Sequence, residues 1–128
     1  HHFDENNINR LEKIDKINVL IAKYEEKIAN RFLEFIESEK KIKLFGKRKV
    51  EKKNRAPTFS FTIENISSAK VSEALVSQDI ALRNDNFYAW RCLEALGIDT
   101  NDGVVRISMT HYNNKKDVEN LINALELI

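Results

Sequence analysis

Residues 103–113 read GVVRISMTHYN, in which Val105, Ile107 and Met109 alternate with Arg106, Ser108 and Thr110. A period of two puts one set on the inside of a β-strand and the other outside. The outside set includes Arg106, whose guanidinium is a fork of N–H donors suited to gripping a carboxylate or phosphate with two bonds. Arginine is also a common residue on any wet sheet face, so the strand alone leaves both uses open. Cys92, mid-helix beside Ala and Leu, is expected to be a packing residue. His111 follows the Arg106 strand with no Asp or Glu at metal-ligand spacing, which predicts a structural role. Asp99, Asn101 and Asp102 crowd the turn IDTNDG, but their spacing is not that of a calcium loop and no Glu closes it. A nucleophile elbow, a phosphate-binding glycine loop, paired cysteines and an H-E-x-x-H helix are all missing from the sequence.

The elements that must position these residues follow from apolar spacing. From about residue 7 to 39, Ile8, Leu11, Ile14, Ile17, Ile21, Tyr24, Ile28, Phe32 and Phe35 recur in steps of three and four, predicting a long amphipathic helix, kinked or broken somewhere. Its stripe is expected to pack on the domain's own sheet, with a coiled-coil dimer seam as the alternative. Residues 40–55 carry nine Lys or Arg in sixteen positions. Ile42, Leu44 and Phe45 suggest a short strand stopped by Gly46, and the remainder reads as a mobile loop. Such a stripe, with Phe45 to stack on a base, would suit nucleic acid, but a solvated loop is the expected reading. Phe59, Phe61 and Ile63 alternate with Thr58, Ser60 and Thr62 in the cleanest strand, 57–63. Ser67 or Ser68 caps a helix burying Val71, Leu75 and Val76. Residues 80–84 are a third strand candidate, and AWRCLEALG a short helix closed by Gly97. Asn114 with Asp117 forms a capping box for a last helix bearing Val118, Leu121, Ile122 and Leu125.

Helices interleaved with strands in this order predict a small α/β (α+β) domain. Its three- or four-stranded, mainly antiparallel sheet has helices on one face. The other face, carrying Thr58, Ser60, Thr62, Arg106, Ser108 and Thr110, is left polar, as an antiparallel sheet allows. The 128 residues suffice for one such domain, and 21 Lys plus Arg against 20 Asp plus Glu gives a net charge of +1 with no global pull toward nucleic acid or membrane. A single cysteine excludes an internal disulfide and suits a reducing, cytoplasmic location. No apolar run approaches the roughly 20 residues that span a bilayer. His1-His2 resembles an affinity-tag remnant. The chain is therefore expected to be an engineered piece of something longer: residues 1–2 tag, 3–40 a connecting helix, 41–128 a small C-terminal domain.

Four segments, YEEKIANRFLEFI, APTFSFTIENISSAKVSEAL, IALRNDNFYAWRCLEALGI and GVVRISMTHYNNKKDVENLINALE, together resemble the C-terminal part of the class V aminotransferases. These are fold-type-I pyridoxal-phosphate enzymes, and the resemblance is to their cysteine-desulfurase-like branch. It runs from about residue 21 to 128, most specifically at Arg106, Ser108, Tyr112 and Asn113 and at the A-L-R strand leading into NFYA. It implies that Arg106 binds the α-carboxylate of an amino-acid substrate and that the polar sheet face looks toward a large cofactor domain of the same chain, in a possible homodimer. The cofactor-bearing lysine, the aspartate under the pyridine nitrogen and the phosphate cradle would all belong to that large domain. Hence this stretch alone is expected to bind no pyridoxal phosphate and to be inactive. Where short-loop desulfurases carry their catalytic cysteine, this sequence has Tyr88. A thiol is partly ionised at neutral pH and attacks sulfur well, whereas a phenol does neither. That departure predicts a desulfurase-like fold without ordinary persulfide chemistry, with Tyr88 either supplying a hydroxyl or packing on the loop. Arg83 is a candidate second anion contact, with a loop-bracing salt bridge as the alternative expectation.

Overall fold

A computed structural model describes residues 9–50 and 55–128. Asn9 opens the first helix, α1 (Arg10–Ser38): its side chain accepts from the Glu12 N–H, and the Glu12 carboxylate accepts from the Asn9 N–H. The two bonds satisfy two donors that a helix start leaves orphaned. The helix then runs 29 residues without interruption, so the expected break is absent. No proline or glycine interrupts it, and a good helix former needs neither cause nor place to stop. At about 1.5 Å per residue it is some 43 Å long, longer than the sheet can cover. Only its C-terminal part packs: Ile28, Ala29, Phe32, Leu33, Phe35 and Ile36 are buried, whereas Leu11, Ile14, Ile17, Val19 and Leu20 are exposed. The expectation that the whole stripe lies on the sheet is thus corrected for the first half; Ile8 lies outside the described residues.

Four strands follow, β1 (Ile42–Phe45), β2 (Thr58–Ile63), β3 (Arg83–Asp85) and β4 (Val104–Ser108), joined in the order β1-β2-β4-β3 with every neighbour antiparallel. Alternation works as the sequence predicts. Phe59, Phe61, Ile63, Val105 and Ile107 are buried against the helices, and Phe32 meets Phe59 edge-on with ring centroids 5.1 Å apart. Such an aromatic pair adds roughly 0.5–1.5 kcal/mol beyond the area it buries. Helix α2 (Ser68–Val76) is capped by Ser67, α3 spans Trp90–Ala95, and α4 (Lys115–Glu126) opens on the expected Asn114–Asp117 box. Gly97, at φ 69°, closes α3: Gly97 N–H donates to Glu94 O and Ile98 N–H to Leu93 O, the paired bonds of a glycine C-cap.

Four further expectations need correction. Val76 is 56% exposed, because Val71 and Leu75 fill the core-facing side one turn apart and the next residue turns about 100° away. The third strand starts only at Arg83, since Ile80 N–H returns to Leu75 O to finish α2, while Ile80 and Leu82 pack on the core as connecting chain. Cys92 is exposed rather than packed, Leu93 being the buried residue of α3. In the basic segment, Val50 is buried and both its backbone groups bond to the Asn30 side chain, so the chain after Gly46 is pinned to α1 there. Arg55 likewise folds back, its guanidinium 4.7 Å from the Phe59 ring centroid and donating to Thr58 O; burial lowers its pKa from the ordinary arginine value. Residues 51–54 of that loop lie outside the described residues.

Candidate active-site face

Strand register sets one row of side chains across the outer face. Phe45 pairs with Ser60, Ser60 with Arg106, and Arg106 with Arg83. Directly paired residues share a face with Cβ atoms about 4.5–5.5 Å apart, so the two arginines that the sequence separates by 23 positions stand side by side. Like charges facing each other this way destabilise a sheet, and neither arginine has an ion-pair partner among the described residues, where the one salt bridge is Arg31–Glu119. The bracing salt bridge expected of Arg83 is not formed among the described residues. Asp85, on the same face two residues along, instead accepts the Asn86 N–H at 2.6 Å. The next row adds hydroxyls, with Thr58 Oγ1 and Ser108 Oγ 3.1 Å apart. Two guanidinium forks without an ion-pair partner among the described residues thus stand beside a row of hydroxyls.

Arg106 is half-buried, and its guanidinium lies 4.1 Å from the ring centroid of Phe87. That aromatic partner escaped the sequence reading; the one available signal was the pair of aromatics in RNDNFYA. Phe87 and Tyr88 both adopt the left-handed region, at φ 52° and 59°, an uncommon conformation for side-chain-bearing residues. Local bonds impose it. The Asn86 side-chain carbonyl accepts the Tyr88 N–H at 3.0 Å, its amide donates to Thr100 O, and Asn86 O accepts the Ala89 N–H. Gly103, at φ 72°, presses so close to the Asp85–Asn86 backbone that a Cβ there would overlap it. Beneath the loop, the Asp102 carboxylate accepts the Ser68 N–H, Ser68 Oγ donates to Asp102 O, and the Asn84 amide donates to Ser68 Oγ. Ser68 is buried yet fully satisfied, as buried polar groups must be. The loop thus rests on a fixed base.

The same step that lays Phe87 on Arg106 leaves Tyr88 94% exposed. Cys92 is exposed in the first turn of α3. His111 stacks on Tyr112 at 4.0 Å, and no cluster of three or more metal-ligating side chains occurs among the described residues. Asn113 braces the turn after β4, its side chain accepting the Thr110 N–H while its carbonyl accepts from Tyr24 OH on α1. Across this face the chain offers forks and hydroxyls. The nearby carboxylate, Asp85, is occupied by the Asn86 backbone N–H. No helix among the described residues is long and apolar enough to cross a membrane.

Residues 8–121 match the family model of the class V aminotransferases. The aminotransferase-like protein FGM3 of Gibberella zeae is 37% identical over 109 residues, covering 84% of this chain and 27% of the relative. A probable cysteine desulfurase of Pseudomonas putida is 34% identical over 67 residues, 52% of this chain and 16% of that protein. The apo cysteine desulfurase of Thermococcus onnurineus superposes with a TM-score of 0.75 at 26% identity, covering 91% of this chain and 27% of that one. The Escherichia coli cysteine desulfurase CsdA, at 21% identity and a TM-score of 0.69 over 83% of this chain and 24% of its own, shares the fold. The chain spans about a quarter of the length of its longer relatives. With the family model matching residues 8–121 and a relative 37% identical over 84% of this chain, the chain belongs to the class V aminotransferase family.

Proposed function

We propose that this chain is the small C-terminal domain of a pyridoxal-phosphate enzyme acting on an amino acid, and that Arg106 holds the substrate's α-carboxylate. The observation carrying this reading is the half-buried Arg106 fork on the polar face, without a carboxylate partner among the described residues and stacked on Phe87. A charge-assisted bond of this kind contributes roughly 1.5–3 kcal/mol. Arg83, paired with Arg106 in register, adds positive potential to the same face as a second anion contact. Pyridoxal phosphate, held by the large domain, would supply the electron sink for bonds at the substrate's α-carbon. This chain's part is to orient the amino acid by its carboxylate and to present the Tyr88 hydroxyl at the rim. In the full-length protein, Arg106→Met is expected to raise KM for the amino acid about ten- to hundredfold; an unchanged KM overturns the assignment.

Tyr88 stands where the resemblance places a desulfurase cysteine, so ordinary persulfide chemistry is not expected. Cys92 sits four residues further on in α3, where it would need the loop to move to take over. Sulfide released from cysteine by the full-length protein, and lost in Cys92→Ser, contradicts that reading.

The bare first half of α1, exposing Leu11, Ile14, Ile17 and Leu20, supports its seating on the large domain of the same chain. It equally suits a non-catalytic dimerisation module, in which two such stripes pair. Light scattering on residues 1–128 separates them: a monomer supports the first, and a dimer lost on Ile17→Asp supports the second.

A further inference from the structure

Among the described residues, Phe87 is the aromatic whose ring lies against the Arg106 guanidinium, and it does so from a backbone conformation that costs energy. The loop maintains φ values of 52° and 59° at two consecutive residues with Cβ atoms, and such conformations persist only where the surroundings impose them. Glycine at 87 would remove the strain there but also the ring. We propose that Phe87 is the positioning residue for Arg106: its ring fixes the guanidinium plane so that the fork meets a carboxylate in one orientation. The proposal rests on the reading of Arg106 as the carboxylate ligand.

An unrestrained arginine samples many rotamers and must be ordered when its ligand arrives. Contact with the ring at 4.1 Å orders it beforehand, while its N–H groups have no ion-pair partner among the described residues. Arg83, opposite Arg106 in register, repels a fork swung toward β3, so ring and charge restrict the same side chain from different directions. The base of the loop is fixed by Asn86, whose side chain bonds Tyr88 N–H and Thr100 O, and by the contact of Gly103 with the Asp85–Asn86 backbone. Because Phe87 and Tyr88 share this step, whatever displaces the ring also moves the tyrosine hydroxyl.

The test uses full-length, cofactor-loaded protein and calorimetric titration with L-alanine and with ethylamine, which differ by the carboxylate. Phe87→Leu and Phe87→Gly are expected to weaken L-alanine about three- to thirtyfold and leave ethylamine unchanged, while Phe87→Tyr restores wild-type binding. Retained affinity in Phe87→Gly overturns the proposal, as does a parallel loss of ethylamine. Selective 15N-arginine labelling gives an independent reading: the Arg106 Nε–H resonance, displaced by the ring in the wild type, should return to the ordinary arginine position in Phe87→Leu. An unmoved resonance overturns the stack while leaving the carboxylate role standing. If Arg106→Met leaves the preference for L-alanine over ethylamine intact, or the wild type has none, the carboxylate role falls and the proposal with it.

Discussion

On its inner face the sheet buries Phe59, Phe61, Ile63, Val105 and Ile107, while one position along the same strands Ser60, Thr62 and Arg106 stay half exposed and Thr58 and Ser108 are exposed. The inner residues are held by each other and by Phe32, and none has a polar atom in its side chain to satisfy. The outer row does the opposite: it sets two arginines opposite each other and gives neither a carboxylate among the described residues. A face selected only to stay wet gains from mixing charge signs. On the proposed reading, β2 and β4 are read twice, once for stability and once for binding.

That division can be broken by substitutions on each side. The largest effect is expected inside: Phe61→Ala removes a completely buried ring and should cost about 3–5 kcal/mol in chemical denaturation. Arg106→Met, the neighbouring strand's outward residue, should move stability by no more than about 0.5 kcal/mol. It should weaken amino-acid binding to the full-length protein by roughly 1.5–3 kcal/mol. If its unfolding midpoint falls as far as that of Phe61→Ala, the outer row is structural and the division fails. Gly103→Ala joins the two faces, because a Cβ at φ 72° overlaps the Asp85–Asn86 backbone. It should cost about 1–3 kcal/mol and also weaken binding by shifting the Phe87 loop. Loss of stability with binding intact would mean that the loop and Arg106 are uncoupled.

Legibility divides along the same line. Strands β2 and β4, the Asn114–Asp117 box and the Gly97 cap were readable because each depends on residues a few positions apart. Arg106 could be placed on the outer face by alternation, and the use proposed for it came from the family resemblance. What the sequence hid depends on partners far along the chain. Whether Cys92 or Leu93 faces inward is decided by what α3 packs on, and Val76 falls outside because Val71 and Leu75 already occupy the core side. The exposed half of α1 has the same apolar spacing as the buried half, so periodicity could not tell where the sheet beneath it ends. The Arg83–Arg106 pairing needed the register, and the Phe87 stack needed a left-handed backbone that no local glycine announces.

The smallest effect sharpens the comparison from behind the inner face, where α1 and α4 meet. There Arg31 Nε and Nη2 donate to the two Glu119 carboxylate oxygens at 2.8 and 3.0 Å. That paired hydrogen bond, with the arginine's charge, holds the Glu119 carboxyl below the ordinary 4.5, and the same contact raises Arg31 above its ordinary value. A carboxyl whose pKa is depressed by folding stabilises the native state fully above its unfolded value and loses that contribution as pH falls through the folded value. The contribution should therefore be constant at neutral pH and fade only below about 4.5. It is small, because both side chains remain partly open to water. Glu119→Gln should flatten this acid limb of a stability–pH profile while leaving amino-acid binding by the outer face untouched. A profile that retraces the wild type would mean that α1 and α4 are clamped by Phe32, Val118, Leu121 and their apolar neighbours alone, and that the inner layer owes nothing to charge.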